Sequence, residues 1–386
     1  MLQQIRPTRA EIDIAALRQN FQALVKKSQP AQLLVVVKAN AYGHGAVQVA
    51  KTLSEEGAAW FGVALIEEAI ELRQAGVQGE IVVFGGSYHG GYPLLIEHQL
   101  TPFIFTIEQF SQLSRAARDR RTEAKAHLKI DTGMGRIGVR WDCLNRFFEE
   151  VQSIEDYPRL RLEGIASHFA NADLADPTLS KLQLERFVDA NKVMSLHGHT
   201  TVWRHLANSA AVASLPETHD GVFFNLVRPG LMLYGVSAAA RLQHELTLHP
   251  VLTWKTDISY LKSVPEGTPV SYAGQWVSSR PSVIATLPVG YADGYSRLNS
   301  NRSSVLVRGQ RVPLVGRVCM DMCMVDVTDV PGVALHDEVV LLGEQGHSER
   351  TEKISVEELA LHSQTIPYEI LCSLSSRVPR TLRTTQ

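Results

Sequence analysis

The feature that most constrains the fold is an alternation of short apolar runs and helix-patterned segments between residues 33 and 230. The run from Leu33 to Val37 opens the series as a buried strand, and a helical pattern begins near Ala46. Further strand-like runs lie at 60–64, 80–85, 101–105, 124–131, 160–169, 201–209 and 225–230. Most are followed by helical spacing, which predicts a parallel sheet with helical crossovers.

About eight such units suit a closed (β/α)8 TIM barrel. An open doubly wound sheet is the alternative. Such a sheet would more often begin with a glycine-rich dinucleotide turn, and GMGRIG at 133–138 is only a weak match to one. The sequence therefore favours an α/β barrel.

The pattern changes after about residue 240. Short strand-like runs separated by Gly, Pro and Asp replace the alternation, with few helix signals before 354–364. This predicts a C-terminal domain that is mainly antiparallel β. We expect a barrel over residues 8–240 and a β domain over 241–386, and residues 1–7 could pack on the β domain.

Composition excludes several classes of partner. The 386-residue chain has a formal net charge of -2, so no basic field would attract nucleic acid or an anionic membrane. Cys143, Cys319, Cys323 and Cys372 show no disulfide framework, which fits a reducing compartment. The N-terminus has no apolar signal region, and no apolar run approaches about 18 residues. We expect a cytoplasmic protein.

Lys38 stands at the carboxyl end of the first apolar run, in VVVKANAYGHG (35–45). Burial favours the neutral form of a lysine amine, which is a nucleophile able to form a Schiff base. Tyr42 could bring a phenol back over the same strand end. The alternative is a lysine that reaches solvent as its strand ends.

Other predicted strands also end in polar residues. In a barrel, functional residues collect at the carboxyl ends of the strands, so these side chains would converge on one mouth. They are Lys129 with Asp131, His168, Asn208 with Ser209, and Arg228. Two alternatives stay open, because Arg228 could pair with a surface carboxylate and Ser209 could be a helix N-cap.

The stretch VVVKANAYGHG closely resembles the signature around the pyridoxal-phosphate lysine of bacterial alanine racemases. Four further stretches resemble the same family in order and spacing: HLKIDTGMGRIG (127–138), FNLVRPGLMLYG (224–235), VSYAGQW (270–276) and GRVCMDMCM (316–324). The resemblance covers nearly the whole chain. It implies that Lys38 carries pyridoxal 5'-phosphate and that the protein interconverts L-alanine and D-alanine.

The resemblance also implies how the cofactor is held. Arg228 would contact the pyridine nitrogen. Because arginine keeps its proton, that nitrogen would stay neutral, and a weak electron sink suits simple proton removal and return. The phosphate would be held by Tyr42, Ser209 beside Asn208, the backbone at Gly230 and Leu231, and Tyr368. Tyr368 could equally be a core tyrosine.

Arg136 resembles the residue that steadies the cofactor phenolate oxygen and the substrate carboxylate. In many family members the residue matching Lys129 is carbamylated. An unmodified Lys129 near Arg136 would be a repulsive pair, which favours either a carbamate or a compensating Asp131.

Tyr272 resembles the second base of the family. A phenol has an ordinary pKa of about 10, so it needs protonated neighbours to act near neutrality. His168 matches the imidazole that contacts this tyrosine and meets Arg228. The alternative for Tyr272 is a residue on the surface or edge of the β domain.

The resemblance places the loop that contains Met320 in the active site of a partner subunit. The Met320 N–H would hold the substrate carboxylate, with Asp321 adjacent, and Tyr291 would help form the entrance. Two cysteines, Cys319 and Cys323, without a second pair do not predict a metal site. Each active site would need both chains, which predicts a homodimer.

The resulting hypothesis is an alanine racemase in which Lys38 serves D-alanine and Tyr272 serves L-alanine, with D-alanine going to peptidoglycan. A broad-specificity amino-acid or serine racemase is the closer alternative, because one methylene changes discrimination by only ~1–3 kcal/mol. A non-catalytic pyridoxal-phosphate carrier is a remote alternative, since it would lack the β domain, Tyr272 and the CMDMC loop.

Overall fold

The computed structural model describes residues 5–88, 90–151, 157, 159–347 and 350–383. The chain forms two compact units. One, the barrel unit, comprises the described residues of Leu17–Ala41 and Ala46–His249. The other, the β unit, comprises those of Met1–Ala16, Tyr42–Gly45 and Pro250–Gln386. The division predicted from sequence, 8–240 and 241–386, stays a prediction.

The strands in chain order are β1 (Arg9–Asp13), β2 (Gln32–Val36), β3 (Trp60–Val63), β4 (Glu80–Val83), β5 (Leu100–Ile104), β6 (Ala124–Asp131), β7 (Val139–Arg140), β8 (Leu160–Ala166), β9 (Trp203–His205), β10 (Leu226–Val227), β11 (Leu252–Asp257), β12 (Tyr260–Val264), β13 (Pro269–Val270), β14 (Trp276–Val277), β15 (Ser282–Leu287), β16 (Ser304–Val307), β17 (Gln310–Pro313), β18 (Cys323–Asp326), β19 (Glu338–His347), β20 (Arg350–Ile354) and β21 (Arg380–Arg383).

The helical segments are α1 (Ile14–Ser28), the left-handed turn α2 (Lys38–Tyr42), α3 (Ala46–Glu55), α4 (Ile66–Gln74), α5 (Tyr92–Glu97), α6 (Ile107–Asp119), α7 (Leu144–Val151), α8 (Thr178–Leu196), α9 (Ser209–Ser214), α10 (Val356–His362) and α11 (Pro367–Ser373). Short 3-10 turns lie between several of them.

The barrel unit contains a parallel sheet with the order β10-β2-β3-β4-β5-β6-β8-β9, and β7 adds to β6. Past the ends of β9 and β10, a parallel bridge joins Asn208 to Arg228 and closes the ring. The strands are apolar because both faces are covered, as at Val35 and Phe61, which are fully buried. The predicted (β/α)8 barrel is confirmed.

Some predicted boundaries are wrong. The strand predicted over 201–209 is only Trp203–His205, because the backbone then turns into the cap of α9. The helix predicted over 141–152 begins as a 3-10 turn, Trp141–Cys143, before α7; its predicted end at 152 lies outside the described residues. Strand β1 and helix α1 were not predicted.

The β unit is built on a sheet with the order β17-β16-β19-β11-β1-β21, with β20 paired to β19. Only the β1–β21 pair of these is parallel. Strands β12, β15 and β18 form a second antiparallel sheet, and β13 and β14 form a hairpin. Alternating burial along β11 shows one face turned to a core around Trp254. The predicted mainly antiparallel domain is confirmed.

No helix among the described residues combines the length and the hydropathy that crossing a bilayer requires.

Candidate active site

Lys38 lies just beyond β2, where the chain enters a left-handed turn. Ala39, Asn40 and Ala41 have φ of 52–54° and ψ of 46–52°. L-residues rarely adopt this conformation in succession, because Cβ crowds the following carbonyl. Two side chains stabilise the turn: Asn40 Oδ1 accepts the N–H of Ala46 at 2.8 Å, and Glu68 Oε1 accepts the N–H of Ala39 at 2.6 Å. The sequence predicted a break after Lys38 but not its handedness.

Arg228 is a buried cation, with 6% of the residue exposed. Its Nη1 donates to His205 Nδ1 and to the His205 carbonyl, both at 2.9 Å, and its Nη2 donates to the Ser167 carbonyl at 2.5 Å. Burial, followed by the charge of Arg136, lowers the pKa of Arg228 to about 9. Among the described residues no carboxylate contacts it, so the alternative of a surface ion pair is wrong.

The hydrogen-bond partners of His205 and His127 determine which ring nitrogen of each carries the hydrogen. Arginine only donates, so His205 Nδ1 accepts, and His205 carries its hydrogen on Nε2. That atom lies 2.9 Å from His127 Nδ1 and donates to it. His127 then carries its hydrogen on Nε2, which is buried and has no partner among the described residues. A chain of donors thus runs from Arg228 into the barrel interior.

Both of these imidazoles are neutral. Burial, followed by the charge of Arg228, lowers the pKa of His127 to about 3 and the pKa of His205 well below its ordinary value. Gly164 makes room for the His127 ring, since a Cβ there would lie 2.5 Å from His127 Cδ2. Sequence reasoning missed His127 and His205. The available signal was an imidazole in the middle of a predicted barrel strand, in AKAHLKID (124–131) and in TVWRHLANS (201–209).

His168 lies beside the same guanidinium. Its Nδ1 is 3.3 Å from Arg228 Nη2 and accepts from it, which leaves the hydrogen on Nε2. Burial, then the charges of Arg228 and Arg136, hold the pKa of His168 well below its ordinary value. The imidazole is therefore neutral, and the positive charge expected around it resides on the arginines.

Lys129 is buried at the end of β6, where its Nζ donates to the Ile130 carbonyl at 2.8 Å. Burial, then the charge of Arg228, lowers the pKa of Lys129 to about 7, although Asp131 opposes this effect. Asp131 Oδ1 accepts three backbone N–H groups, from Gly133, Met134 and Gly135. The carboxylate thus holds the turn that leads to Arg136, which is exposed.

Asn208, not Ser209, is the N-cap of α9. Asn208 Oδ1 accepts the N–H of Ala211 at 3.0 Å, so the interpretation of Ser209 as the cap is wrong. Ser209 is the first residue of the helix, and its Oγ accepts the N–H of Gly230 at 2.9 Å. Leu231 follows as the first residue of a 3-10 turn, Leu231–Tyr234. The structure therefore brings Asn208, Ser209, Arg228 and Gly230 together.

Tyr42 and Tyr368, the two predicted phosphate-binding tyrosines, lie together in the β unit, with ring centroids 6.0 Å apart. Tyr42 is buried, and this burial raises the pKa of its phenol. Tyr368 lies in the first turn of α11, after Pro367, and is partly exposed. The interpretation of Tyr368 as a core tyrosine is therefore wrong.

Tyr272 stands at the tip of the β13–β14 hairpin and is 68% exposed. The predicted substrate-site residues Tyr291 and Met320 lie on adjoining segments, because the Tyr291 N–H donates to the Cys319 carbonyl at 3.1 Å and the Ala292 N–H to the Met320 carbonyl at 3.0 Å. Asp321 accepts from Arg377 at 2.7 Å. The β unit thus presents these residues on connected loops.

The four cysteines are free thiols. In the part of the chain that the structure describes, no three metal-ligating side chains come close enough to hold an ion.

Comparison with known proteins decides the family. The family model for the alanine racemase N-terminal domain matches residues 12–238, and the family model for the alanine racemase C-terminal domain matches residues 251–382. The chain belongs to the alanine racemase family. Membership makes it an amino-acid racemase, which is an isomerase.

Family members resemble the chain over nearly its full length. Alanine racemase of Halothermothrix orenii is 44% identical over 97% of this chain and 96% of its own length. Alanine racemase of Syntrophobacter fumaroxidans is 44% identical over 94% of each. The crystal structure of alanine racemase from Streptomyces lavendulae superposes with a TM-score of 0.92 at 36% identity, covering 100% of this chain and 99% of that one.

Proposed function

We propose that this chain interconverts L-alanine and D-alanine with pyridoxal 5'-phosphate and two bases, Lys38 and Tyr272. The observation that carries the proposal is the Arg228 guanidinium, which is buried at the carboxyl end of the barrel strands and held by imidazole and carbonyl acceptors. A cation in this setting can donate to a neutral ring nitrogen but cannot protonate it. That suits proton removal and return.

The residues present fit the cofactor chemically. An amine on Lys38, a ring-nitrogen donor on Arg228 and a hydroxyl on Ser209 match its aldehyde, ring and phosphate. Asn208, Gly230 and Leu231 would complete the phosphate contacts, with Tyr42 and Tyr368 assigned by the resemblance. When bound, pyridoxal phosphate would hold the substrate amine and draw electron density from Cα, which acidifies the Cα proton.

Lys38 would remove the Cα proton of D-alanine, and Tyr272 of a second copy would remove the Cα proton of L-alanine from the opposite face. In each direction the other base would return a proton to Cα. The exposure of Tyr272 supports delivery to another chain. The hydrogen on Nε2 of His168 is available to donate to the phenol oxygen of that tyrosine and to stabilise its phenolate form. This arrangement makes the active enzyme a homodimer with shared sites.

The substrate carboxylate would be held by Arg136 and by the N–H of Met320, with Asp321, Tyr291 and a carbamylated Lys129 in support. The solved structure of alanine racemase from Bacillus anthracis holds L-Ala-P, and this chain superposes on it with a TM-score of 0.90 at 35% identity. That likeness supports a small amino acid as substrate. We further propose that the D-alanine serves peptidoglycan; a deletion strain that grows without added D-alanine would contradict a sole-source role.

An absorbance spectrum tests the proposal. Purified protein with added pyridoxal phosphate should show a band near the visible edge that borohydride fixes covalently. Lys38→Ala should lack the fixed band, and a mass shift on the Lys38 peptide should locate it. Assays with L-alanine and L-serine then measure substrate breadth.

No fixed band in the wild-type protein would contradict cofactor attachment. An equal band in Lys38→Ala would move the attachment to another lysine. A higher kcat/KM for L-serine than for L-alanine would replace the proposed substrate.

A further inference from the structure

Tyr272 lies between two residues that have positive φ. Ser271 has φ 66° and ψ -173°, and Ala273 has φ 61° and ψ 12°. The Ser271 conformation belongs to a region that is essentially restricted to glycine, since a Cβ clashes with the backbone there. Glycine at position 271 would adopt this backbone without strain. What serine adds is a hydroxyl group.

That hydroxyl has a specific partner. Ser271 Oγ donates to the Arg317 carbonyl at 2.7 Å. The Cys319 thiol lies 3.6 Å from Ser271 Oγ. Arg317 and Cys319 lead directly to Met320. The hydrogen bond therefore ties the turn that contains Tyr272 to the segment that presents Met320.

The two segments pack too closely for larger residues. A Cβ on Gly316 would lie 2.7 Å from Ser271 Cβ and 2.7 Å from the Val270 carbonyl oxygen, and Gly316 itself has φ 78°. Val270 and Val315 belong to one buried cluster, against which Cys319 packs. Apolar contacts therefore hold the segments together, and the Ser271 hydroxyl adds a hydrogen bond between them.

We propose that Ser271 is a positioning residue for Tyr272. Its hydrogen bond to Arg317 holds the turn in a strained conformation and makes the phenol of Tyr272 and the N–H of Met320 parts of one rigid unit. The inference rests on the proposed function, in which Tyr272 moves the proton of L-alanine. Strained backbone at a working residue is a recognised form of preorganisation.

Two variants separate positioning from stability. Ser271→Gly removes the hydroxyl and relieves the strain, and Ser271→Ala removes the hydroxyl but keeps the strain. The matched control is Ser259→Ala, because Ser259 is exposed in the same unit and its Oγ also donates to a backbone carbonyl, that of Thr286, at 2.9 Å. The holoenzyme is assayed in both directions with alanine that carries hydrogen or deuterium at Cα.

L-alanine and D-alanine have equal free energies, so the equilibrium constant is one and kcat/KM must fall equally for both substrates, whichever base is displaced. The deuterium isotope effect on kcat/KM, measured separately for each enantiomer, shows which proton transfer has slowed. We expect Ser271→Gly to lose about tenfold or more in kcat/KM, because a misplacement of about 1 Å can cost about a hundredfold. The isotope effect should rise with L-alanine and not with D-alanine. Ser259→Ala should match the wild type.

Wild-type isotope effects in both Ser271 variants would overturn the inference, because a purely structural loss lowers the active fraction without changing which step limits the rate. Full activity in Ser271→Gly would overturn the inference as well.

Tyr272→Phe separates failure of the positioning role from failure of the proposed function. If Tyr272→Phe raises the L-alanine isotope effect and the Ser271 variants do not, only the positioning role fails; if Tyr272→Phe does not raise it, the two-base proposal fails.

Discussion

The carboxylate of Glu68 accepts the N–H of Ala39, the residue after Lys38, at 2.6 Å. Its second oxygen accepts the N–H groups of Ala64 and Leu65 at 2.8 and 3.1 Å, at the start of α4. One side chain therefore joins the end of β3 to the left-handed turn that follows β2. A charged acceptor forms stronger hydrogen bonds than a neutral one, so Glu68 is well suited to hold an unfavourable backbone conformation.

Removal of Glu68 should displace Lys38. We expect Glu68→Ala to lower kcat by about tenfold or more, since the turn loses its charged acceptor and catalytic geometry is sensitive to small shifts. Glu68→Gln keeps one oxygen acceptor and should lose less. Kinetics with L-alanine, together with the cofactor absorbance band, measure the effect.

Glu67→Ala is the matched control, because Glu67 is an exposed acid in the same first turn of α4. Equal losses in the Glu67 and Glu68 variants would assign the effect to helix charge instead of the Ala39 contact.

The buried histidines should make the protein sensitive to acid. The unfolded chain binds a proton on His127 near pH 6.5, while the folded chain does so only near pH 3. Between these values the unfolded state holds more protons, so the free energy of unfolding falls as pH falls, by up to about 1.4 kcal/mol per pH unit for this group. His205 and His168 add to the same slope, because burial lowers their pKa values too.

His127→Asn should therefore flatten the dependence of the urea midpoint on pH between about 6.5 and 4. Asparagine still offers an oxygen to the Nε2 hydrogen of His205. His244→Asn, at an exposed position, should leave the slope unchanged. An unaltered slope in His127→Asn would mean that His127 is protonated in the folded state.

Lys129 should carry a carbamate. Carbon dioxide reacts with the neutral amine, and a pKa of about 7 leaves much of this amine neutral at physiological pH. The anion formed would relieve repulsion among Lys129, Arg136 and Arg228. Protein equilibrated with 13C-bicarbonate should show a carbamate carbon signal that weakens as pH falls below about 7.

Lys129→Met should lack this signal, and Lys181→Met, at an exposed position, should retain it. A signal present in Lys129→Met would place the modification elsewhere.

The proposed sharing of active sites between two chains predicts complementation between inactive variants. Lys38→Ala and Tyr272→Phe homodimers should each be nearly inactive. After mixing and subunit exchange, about half of the dimers contain one chain of each kind, and each of these has one intact site. Activity should recover to about a quarter of the wild-type value, assayed after dilution from a dissociating condition.

Remixed Lys38→Ala with itself is the control and should stay inactive. If the mixture of the two variants also stays inactive while native mass spectrometry shows mixed dimers, both bases must come from one chain.

The sequence by itself determined the architecture, and it predicted where the candidate site lies. Buried parallel strands are read as apolar runs because both faces are covered, so eight strand and helix units were visible without structure. Polar residues that end such runs must gather at one edge of a barrel. Lys38, Lys129, His168 and Arg228 could therefore be predicted from position as well as from resemblance.

Only the tertiary structure decided how these residues are held. In the left-handed turn after Lys38, the N–H of Ala39 donates to Glu68, 29 residues away. The hydrogen-bond chain from Arg228, which follows β10, reaches His205 on β9 and His127 on β6. Strand β1 pairs with β11 and β21, more than two hundred residues later. Periodicity reports only a segment's own burial pattern, whereas these features are hydrogen bonds between segments that the fold brings together.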